Sequence, residues 1–170
     1  PGYAHPQDVA AVVALQREWA ARNGFALNRE ATALIDSANA LFGGRLSEDT
    51  RNELAAGAGG ELARLGSLSS SSCLALNVFE PWRPTPGRLG DLFETPVDAL
   101  AFEVKQPTGL QGTPPHLDVV LSGAGVPVAI ESKFIEMYAQ ATNSFSPAYF
   151  ARPGLWDDME KCRELAVTLQ

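Results

Sequence analysis

Residues 116 to 134 read HLDVVLSGAGVPVAIESKF. Two short apolar segments flank a loop that contains two glycines, which is the pattern of a β-hairpin. Successive side chains of a strand point to opposite faces of its sheet. Glu131 and Lys133 are two residues apart, so we expect this acid and this base to lie on one face of the second strand.

The apolar residues of the two segments set the register of this hairpin. Pairing apolar row with apolar row places Asp118 on the same face as Glu131, because residues opposite each other in an antiparallel pair share a face. With residues 124–125 as a two-residue loop, Asp118 lies opposite Glu131. With residues 122–125 as the loop, it lies one diagonal away and His116 faces Glu131. In either register the two carboxylates come within reach of one ion.

Two carboxylates, a main-chain carbonyl and water form the ligand set of a hard divalent cation. Asp118 and Glu131 therefore suit Mg²⁺ or Mn²⁺, whereas Zn²⁺ would usually bring Cys or His ligands. We expect His116 to be a surface residue at the strand end rather than a ligand. The alternative for Glu131 and Lys133 is an exposed ion pair, worth about 0–1 kcal/mol.

The length and charge of the chain limit the function classes. At 170 residues it has the size of one domain with a real core. Thirteen Lys and Arg against twenty Asp and Glu give a net charge of −7, which repels polyanions and counts against a strong standalone nucleic-acid binder. An enzyme with a local basic groove or a helping partner remains possible.

The cysteines and the apolar runs indicate a cytoplasmic protein that does not enter the membrane. Cys73 and Cys162 are far apart with apolar neighbours, which favours two buried thiols over a disulfide. The apolar runs are much shorter than the ~20 residues that cross a bilayer.

Periodicity and capping residues predict helices on both sides of three strands. The expected helices are Pro6 to Arg22, Asn28 to Phe42, one capped by Ser47, a buried one from Ser70 to Phe79, and one from Asp157. A serine-rich linker is the alternative for the segment before Cys73. The last helix should pack Met159, Cys162 and Leu165 against the sheet.

The expected strands are 99–105, 116–121 and 126–134. Strands between helices predict an α/β fold, and no internal repeat is visible.

The stretch from 116 to 134 resembles the active-site hairpin of the PD-(D/E)XK nuclease superfamily, with Pro115 and Asp118 as its PD half and Glu131-Ser132-Lys133 as its E-x-K half. The wider pattern resembles a bacterial branch of restriction endonuclease-like proteins. Its matching pieces are GGEL (59–62), SSSSCLALNVFEPW (69–82), LAFE (100–103), HLDVVL (116–121) and AIESKF (129–134).

The resemblance implies a restriction-endonuclease-like core of a helix, a three-stranded antiparallel meander and a helix, preceded by an added N-terminal helical segment. Residues 1–58 would form that segment, packed on a nuclease-like core of residues 59–170 within one compact domain. The final strand of the superfamily core would be missing from 59–170.

The resemblance also implies hydrolysis of phosphodiester bonds, with DNA as the expected substrate and 5′-phosphate and 3′-hydroxyl ends as products. Asp118 and Glu131, with the Ser132 carbonyl, would hold Mg²⁺ or Mn²⁺. Lys133 would orient or deprotonate the attacking water and offset charge on the phosphate. A further carboxylate would come from Glu61 or Glu103.

The second hypothesis is a non-catalytic binding or assembly subunit that keeps the nuclease fold. A protein partner or a homo-oligomer is compatible with either hypothesis.

Overall fold

The computed structural model describes residues 6–57, 60–110, 114–135 and 147–168. Its helices are α1 (Pro6–Arg22), α2 (Glu48–Ala56), α3 (Glu61–Arg64), α4 (Ser71–Phe79), α5 (Gly90–Phe93), α6 (Pro147–Ala151) and α7 (Glu160–Thr168). Three 3-10 turns add Ser37–Ala40, Glu80–Trp82 and Pro86–Leu89. The strands are β1 (Ala99–Lys105), β2 (His116–Ser122) and β3 (Val128–Ile130).

The three strands form an antiparallel meander in the order β1-β2-β3, as predicted. In the second hairpin Val119 pairs with Ile130 and Leu121 pairs with Val128. The apolar rows therefore match, and the register is the one that a turn at residues 124–125 predicts.

The core lies between one face of this sheet and the helices that cover it. Val119 and Leu121 of β2 are 0% and 1% exposed, and Leu76 of α4 is 1% exposed. Val128 and Ile130 pack against the same cluster, as the alternation predicted. Helices α2 and α4 thus pack against the sheet. The polar residues that alternate with its buried apolar residues are available to form a functional site.

Two predicted helix starts are confirmed by their side-chain caps. The Ser47 hydroxyl accepts a hydrogen bond from the Thr50 N–H at the start of α2. The Ser70 hydroxyl accepts one from the Cys73 N–H at the start of α4. Such caps satisfy N–H groups that a helix leaves unpaired at its first turn. The serine segment therefore begins a buried helix and is not a linker.

The helix predicted from Asn28 to Phe42 is wrong. The Asn28 side chain accepts hydrogen bonds from the N–H groups of Thr32 and Ala33, at 2.8 and 3.1 Å, and so competes with the helical hydrogen bonds. The Leu34 N–H instead binds the carbonyl of Gly66. A Cβ at position 66 would lie 2.8 Å from the backbone carbonyl oxygen of Leu34. The close approach of these two backbone segments therefore requires glycine at position 66.

The predicted third strand, 126–134, is too long. The structure ends β3 at Ile130. The N–H of Ser132, two residues later, is taken by the Asp118 carboxylate and is not available to the sheet. Glu131 and Lys133 consequently lie beyond the strand and not on its face.

The predicted packing of the last helix is wrong as well. Met159 and Leu165 are 46% and 61% exposed, and Cys162 is exposed. Ala166 is the residue that α7 buries. Cys73 is buried, and neither cysteine forms a disulfide; the expectation of two buried thiols therefore holds for Cys73 alone.

The division at residues 58 and 59 stays a prediction, because both residues lie outside the described part of the chain. Within the described ranges, no helix combines the length and the apolar composition needed to cross a bilayer.

Candidate active site

A cleft of about 560 Å³ opens where α3, the start of α4 and the polar face of the sheet meet. We call it the carboxylate cleft. It is lined by three acids, two basic side chains and five serines: Glu61, Glu103, Asp118, Arg64, His116, Ser67, Ser69, Ser70, Ser71 and Ser72.

Glu61 is the first residue of α3 and forms one wall of the cleft. Its carboxylate accepts hydrogen bonds from Arg64 at 2.6 Å and from the Ser72 hydroxyl at 2.5 Å. These bonds join α3 to α4. Only 13% of the Glu61 side chain is exposed, so the carboxylate is held in place at the cleft wall.

Glu103 and Asp118 are level with each other on neighbouring strands. Phe102 pairs with Val119 and Val104 pairs with Leu117, which places Glu103 and Asp118 between these two pairs. Side chains at directly opposite positions of an antiparallel pair lie on the same face. The strand register thus brings both carboxylates to the cleft.

Burial and the charges of neighbouring carboxylates raise the pKa of both strand carboxyls. Burial is the largest cause for Glu103, and the charges of Glu61 and Asp118 raise its pKa further, while His116 lowers it. Burial also raises the pKa of Asp118 most; the Ser132 N–H and Lys133 lower it, and Glu131 and Glu61 raise it. Crowded acids with raised pKa values in a cleft are typical of functional sites.

The side chain of His116 is largely enclosed in the cleft, and its prediction as a surface residue is wrong. Its side chain is 13% exposed, and its Nδ1 lies 3.5 Å from Glu103 Oε2. Neither ring nitrogen makes a well-formed hydrogen bond within the described ranges. The sequence did contain a signal, since His116 and Asp118 are two residues apart on one strand and share a face.

The end of the hairpin is fastened to the cleft through Ser132. Its N–H donates to Asp118 Oδ2 at 2.6 Å, and its hydroxyl donates to the Ser71 carbonyl at 2.9 Å. One residue thereby links β2 to the first turn of α4. Ser132, the middle residue of the predicted E-x-K motif, therefore orients the Asp118 carboxylate.

Glu131 and Lys133 bind each other beside the cleft. Lys133 Nζ lies 2.5 Å from Glu131 Oε1. The Lys133 side chain is 49% exposed and the Glu131 side chain is 52% exposed. They are not among the residues that line the cleft. Both nevertheless act on the pKa of Asp118, so they are close enough to belong to one electrostatic site.

The chemistry of the donors fits a hard divalent cation, although the ligands are not in a preformed cage. Among the residues that the structure describes, no three His, Cys, Asp or Glu are arranged to hold a metal ion. Glu61, Glu103 and Asp118 offer carboxylate oxygens, the ligands that Mg²⁺ and Mn²⁺ prefer. A cation there would offset the repulsion that raises the pKa values of Glu103 and Asp118.

Comparison with known proteins identifies the family of this chain. Residues 19–168 match the family model described as Restriction Endonuclease associating with ARP. The chain belongs to this family. No curated protein and no solved structure gave a significant match. The family supports a nuclease-related role, in agreement with the restriction endonuclease-like resemblance of the sequence.

Several residues of the cleft in this family member were not singled out by sequence reasoning. Arg64 and the serines between positions 67 and 72 line it opposite Glu103 and Asp118. The serine run was considered as a cap or a linker. Its contribution to the cleft depends on the packing of α4 against β2, which no local pattern reveals.

Proposed function

We propose that this protein is a metal-dependent nuclease of the PD-(D/E)XK type that acts on DNA. The observation that carries the proposal is the carboxylate cleft, which Asp118, Glu103 and Glu61 line together, while Ser132 of the E-x-K motif binds Asp118 from the end of the hairpin. The family to which the chain belongs supports the same class of activity.

In this proposal Asp118 and Glu131, with the Ser132 carbonyl, hold Mg²⁺ or Mn²⁺. Glu103 or Glu61 supplies the further carboxylate. The ion, when bound, supplies a Lewis acid and lowers the pKa of a bound water. The Ser132 N–H keeps the Asp118 carboxylate turned into the cleft.

Lys133 orients the attacking water and offsets the negative charge that develops on the phosphate. Its ion pair with Glu131 is half-exposed, and exposed ion pairs contribute only about 0–1 kcal/mol. Glu131 and Lys133 can therefore exchange partners at small cost.

In the reaction the water oxygen bonds to phosphorus, the bond from phosphorus to the 3′ oxygen breaks, and that oxygen takes a proton. The products carry 5′-phosphate and 3′-hydroxyl ends.

A second candidate is a non-catalytic subunit that keeps the nuclease fold. The family is described as associating with ARP, and the net charge of −7 opposes binding to DNA without help. A protein partner is compatible with both candidates, because a partner could also bring the nuclease to DNA. We propose ARP as that partner.

Calorimetric titration with Mg²⁺ and Mn²⁺ separates the two candidates. The nuclease proposal predicts binding at millimolar ion concentrations or below, and loss of that binding in Asp118→Ala. If neither ion binds at millimolar levels and Asp118→Ala behaves like the unmodified protein, the non-catalytic candidate is favoured.

A further inference from the structure

Glu103 has an unusual backbone for a residue within a strand. Its φ is +52°, a left-handed conformation that costs a non-glycine residue about 1 kcal/mol or more. The neighbouring residues Phe102 and Val104 nevertheless keep their pairing with β2. Such a conformation persists when the surrounding structure holds it. The residues that contact Phe102, directly before Glu103, are therefore of interest.

Glu53 of α2 binds the backbone directly before Glu103. Its Oε2 accepts a hydrogen bond from the Phe102 N–H at 3.0 Å. Arg83 binds the same carboxylate through two N–H groups, at 2.5 and 3.3 Å, and its guanidinium lies 5.4 Å from the centre of the Phe102 ring. A bidentate pair of this kind fixes geometry as well as charge.

Arg83 is held in turn by Glu80. Its Nε lies 3.3 Å from Glu80 Oε2. The Glu80 carboxylate also accepts hydrogen bonds from the Thr50 hydroxyl at 2.6 Å and from the Ser47 N–H at 2.8 Å. Thr50 is a completely buried residue of α2. The network therefore fixes the Arg83 guanidinium to α2.

The end of α2 supports the Glu103 side chain itself. A Cβ on Gly57 would lie 3.3 Å from Glu103 Oε2 and 3.5 Å from Glu103 Cβ. Gly57 has φ −64°, so alanine suits its backbone and only the contact with Glu103 and the nearby Leu54 carbonyl would be tight.

We propose that Glu53 and Arg83 are positioning residues that fix the Phe102 peptide and thereby aim the Glu103 carboxylate into the carboxylate cleft. Neither residue lines the cleft. The inference rests on the proposed metal-dependent function in one respect: Glu103 is taken to contribute to the affinity for the ion.

The first test measures geometry and needs no metal. In Glu53→Leu we expect faster hydrogen exchange at the Phe102 amide and a changed three-bond HN–Hα coupling at Glu103, which reports φ. Glu53→Gln retains an acceptor oxygen and should largely restore both. Asn52→Leu, an exposed change on the same helix, is the matched control. An unchanged coupling at Glu103 in Glu53→Leu would overturn the proposal.

If Glu53→Leu fails to fold, Arg83→Lys replaces it, because lysine cannot make the bidentate contact with Glu53; an unchanged Glu103 coupling in that variant would overturn the proposal. The second test uses Gly57→Ala, which disturbs the Glu103 side chain without touching Glu53 or Arg83. Gly57→Ala should displace the Glu103 carboxylate, change the Glu103 coupling and lower Mn²⁺ affinity by about 10-fold or more, the usual effect of disturbing a ligand's support. The control is Gly43→Ala, where the nearest atom to a new Cβ is 3.9 Å away.

A double-mutant cycle separates positioning from general destabilisation. In a Glu103→Gln background, Glu53→Leu and Gly57→Ala should cause no further loss of Mn²⁺ affinity. If the full loss persists there, these residues act on the fold and not through Glu103, and the proposal is wrong. If the unmodified protein binds no Mn²⁺, the proposed function fails, while the Glu103 coupling still decides whether Glu53 sets its conformation.

Discussion

The N–H of Ser132 donates to the carboxylate of Asp118 at 2.6 Å, two residues after β3 has ended. The ladder between β2 and β3 is thus continued by a side chain and not by the backbone. Hydrogen bonds to a charged group are stronger than those between neutral groups. This bond holds the loop that carries Glu131 and Lys133 against the strand that carries Asp118.

Ser132→Pro should destabilise the protein more than Ser132→Ala. Proline has no N–H, so the bond to Asp118 is lost, at a cost of about 1.5–3 kcal/mol for a charged acceptor. Alanine keeps that N–H and loses only the hydroxyl bond to Ser71, at about 0.5–1.5 kcal/mol. Denaturant unfolding of both variants measures the difference. Equal losses would show that the amide bond contributes nothing.

Glu103→Gln should raise the melting temperature of the metal-free protein at pH 7. The pKa of Glu103 is raised in the folded state by burial and by Glu61 and Asp118, so its contribution to stability is present at acid pH and is lost as pH rises through the folded pKa. The difference between variant and unmodified protein should therefore shrink below the unfolded Glu pKa of about 4.3.

The matched control for this titration is Glu94→Gln. Glu94 also has a left-handed backbone, with φ +51°, but its side chain is exposed. Because the Glu94 side chain is exposed, we expect this control to change the melting temperature little. A Glu103→Gln variant that is less stable than the unmodified protein at pH 7, when metal-free, would contradict the argument from charge crowding.

Leu121→Ala should cost about 2–5 kcal/mol in the free energy of unfolding, since a buried leucine leaves a cavity. Leu121 is 1% exposed between the sheet and its covering helices. Val126→Ala, at a residue that is 82% exposed, should change stability by no more than about 0.5 kcal/mol. A small effect of Leu121→Ala would show that Leu121 does not belong to the hydrophobic core.

The face on which Asp118 lies could be predicted from sequence, because pairing apolar row with apolar row decides which side chains share a face. The choice between a loop of residues 124–125 and one of residues 122–125 needed the structure, which shows the first. The start of α4 could be predicted because a serine before an apolar run is a local capping signal. Asn28 misled the prediction, since it resembles a helix cap but binds Thr32 and Ala33 within a loop. The helical spacing after it was real, but Leu34 uses its N–H on Gly66, a partner far away in sequence.

The composition of the cleft could be predicted only in part. The alternation of β2 placed Asp118 on the polar face, and Glu61 and Glu103 were named as alternatives for a third acid; the structure brings both into the cleft. The spacing of His116 and Asp118 puts both side chains on one face of β2. The contact of His116 with Glu103 of the neighbouring strand, at 3.5 Å, depends on the pairing of β1 with β2 and could not be predicted from β2 alone.

Lys133→Ala should abolish cleavage and leave Mg²⁺ affinity within a few-fold. A group whose interaction is strongest in the transition state usually costs ~10² or more in rate when removed. Lys133→Arg should restore little activity, because guanidinium stays protonated and is bulkier. Cleavage rates and calorimetry on the same preparations measure both properties. A Lys133→Ala variant that cleaves at nearly the unmodified rate would show that the role assigned to Lys133 is wrong.

The proposal is tested by the rate of DNA cleavage with Mg²⁺ or Mn²⁺ by the unmodified protein and by Asp118→Asn, an almost isosteric change that removes one negative charge from the lining of the carboxylate cleft. The reaction should include ARP, the proposed partner, if the isolated protein is slow. We expect cleavage that chelation stops, products with 5′-phosphate ends, and a fall of ~10² or more in rate for Asp118→Asn. Cleavage that survives Asp118→Asn unchanged, or the absence of any metal-dependent cleavage with the partner present, would contradict it.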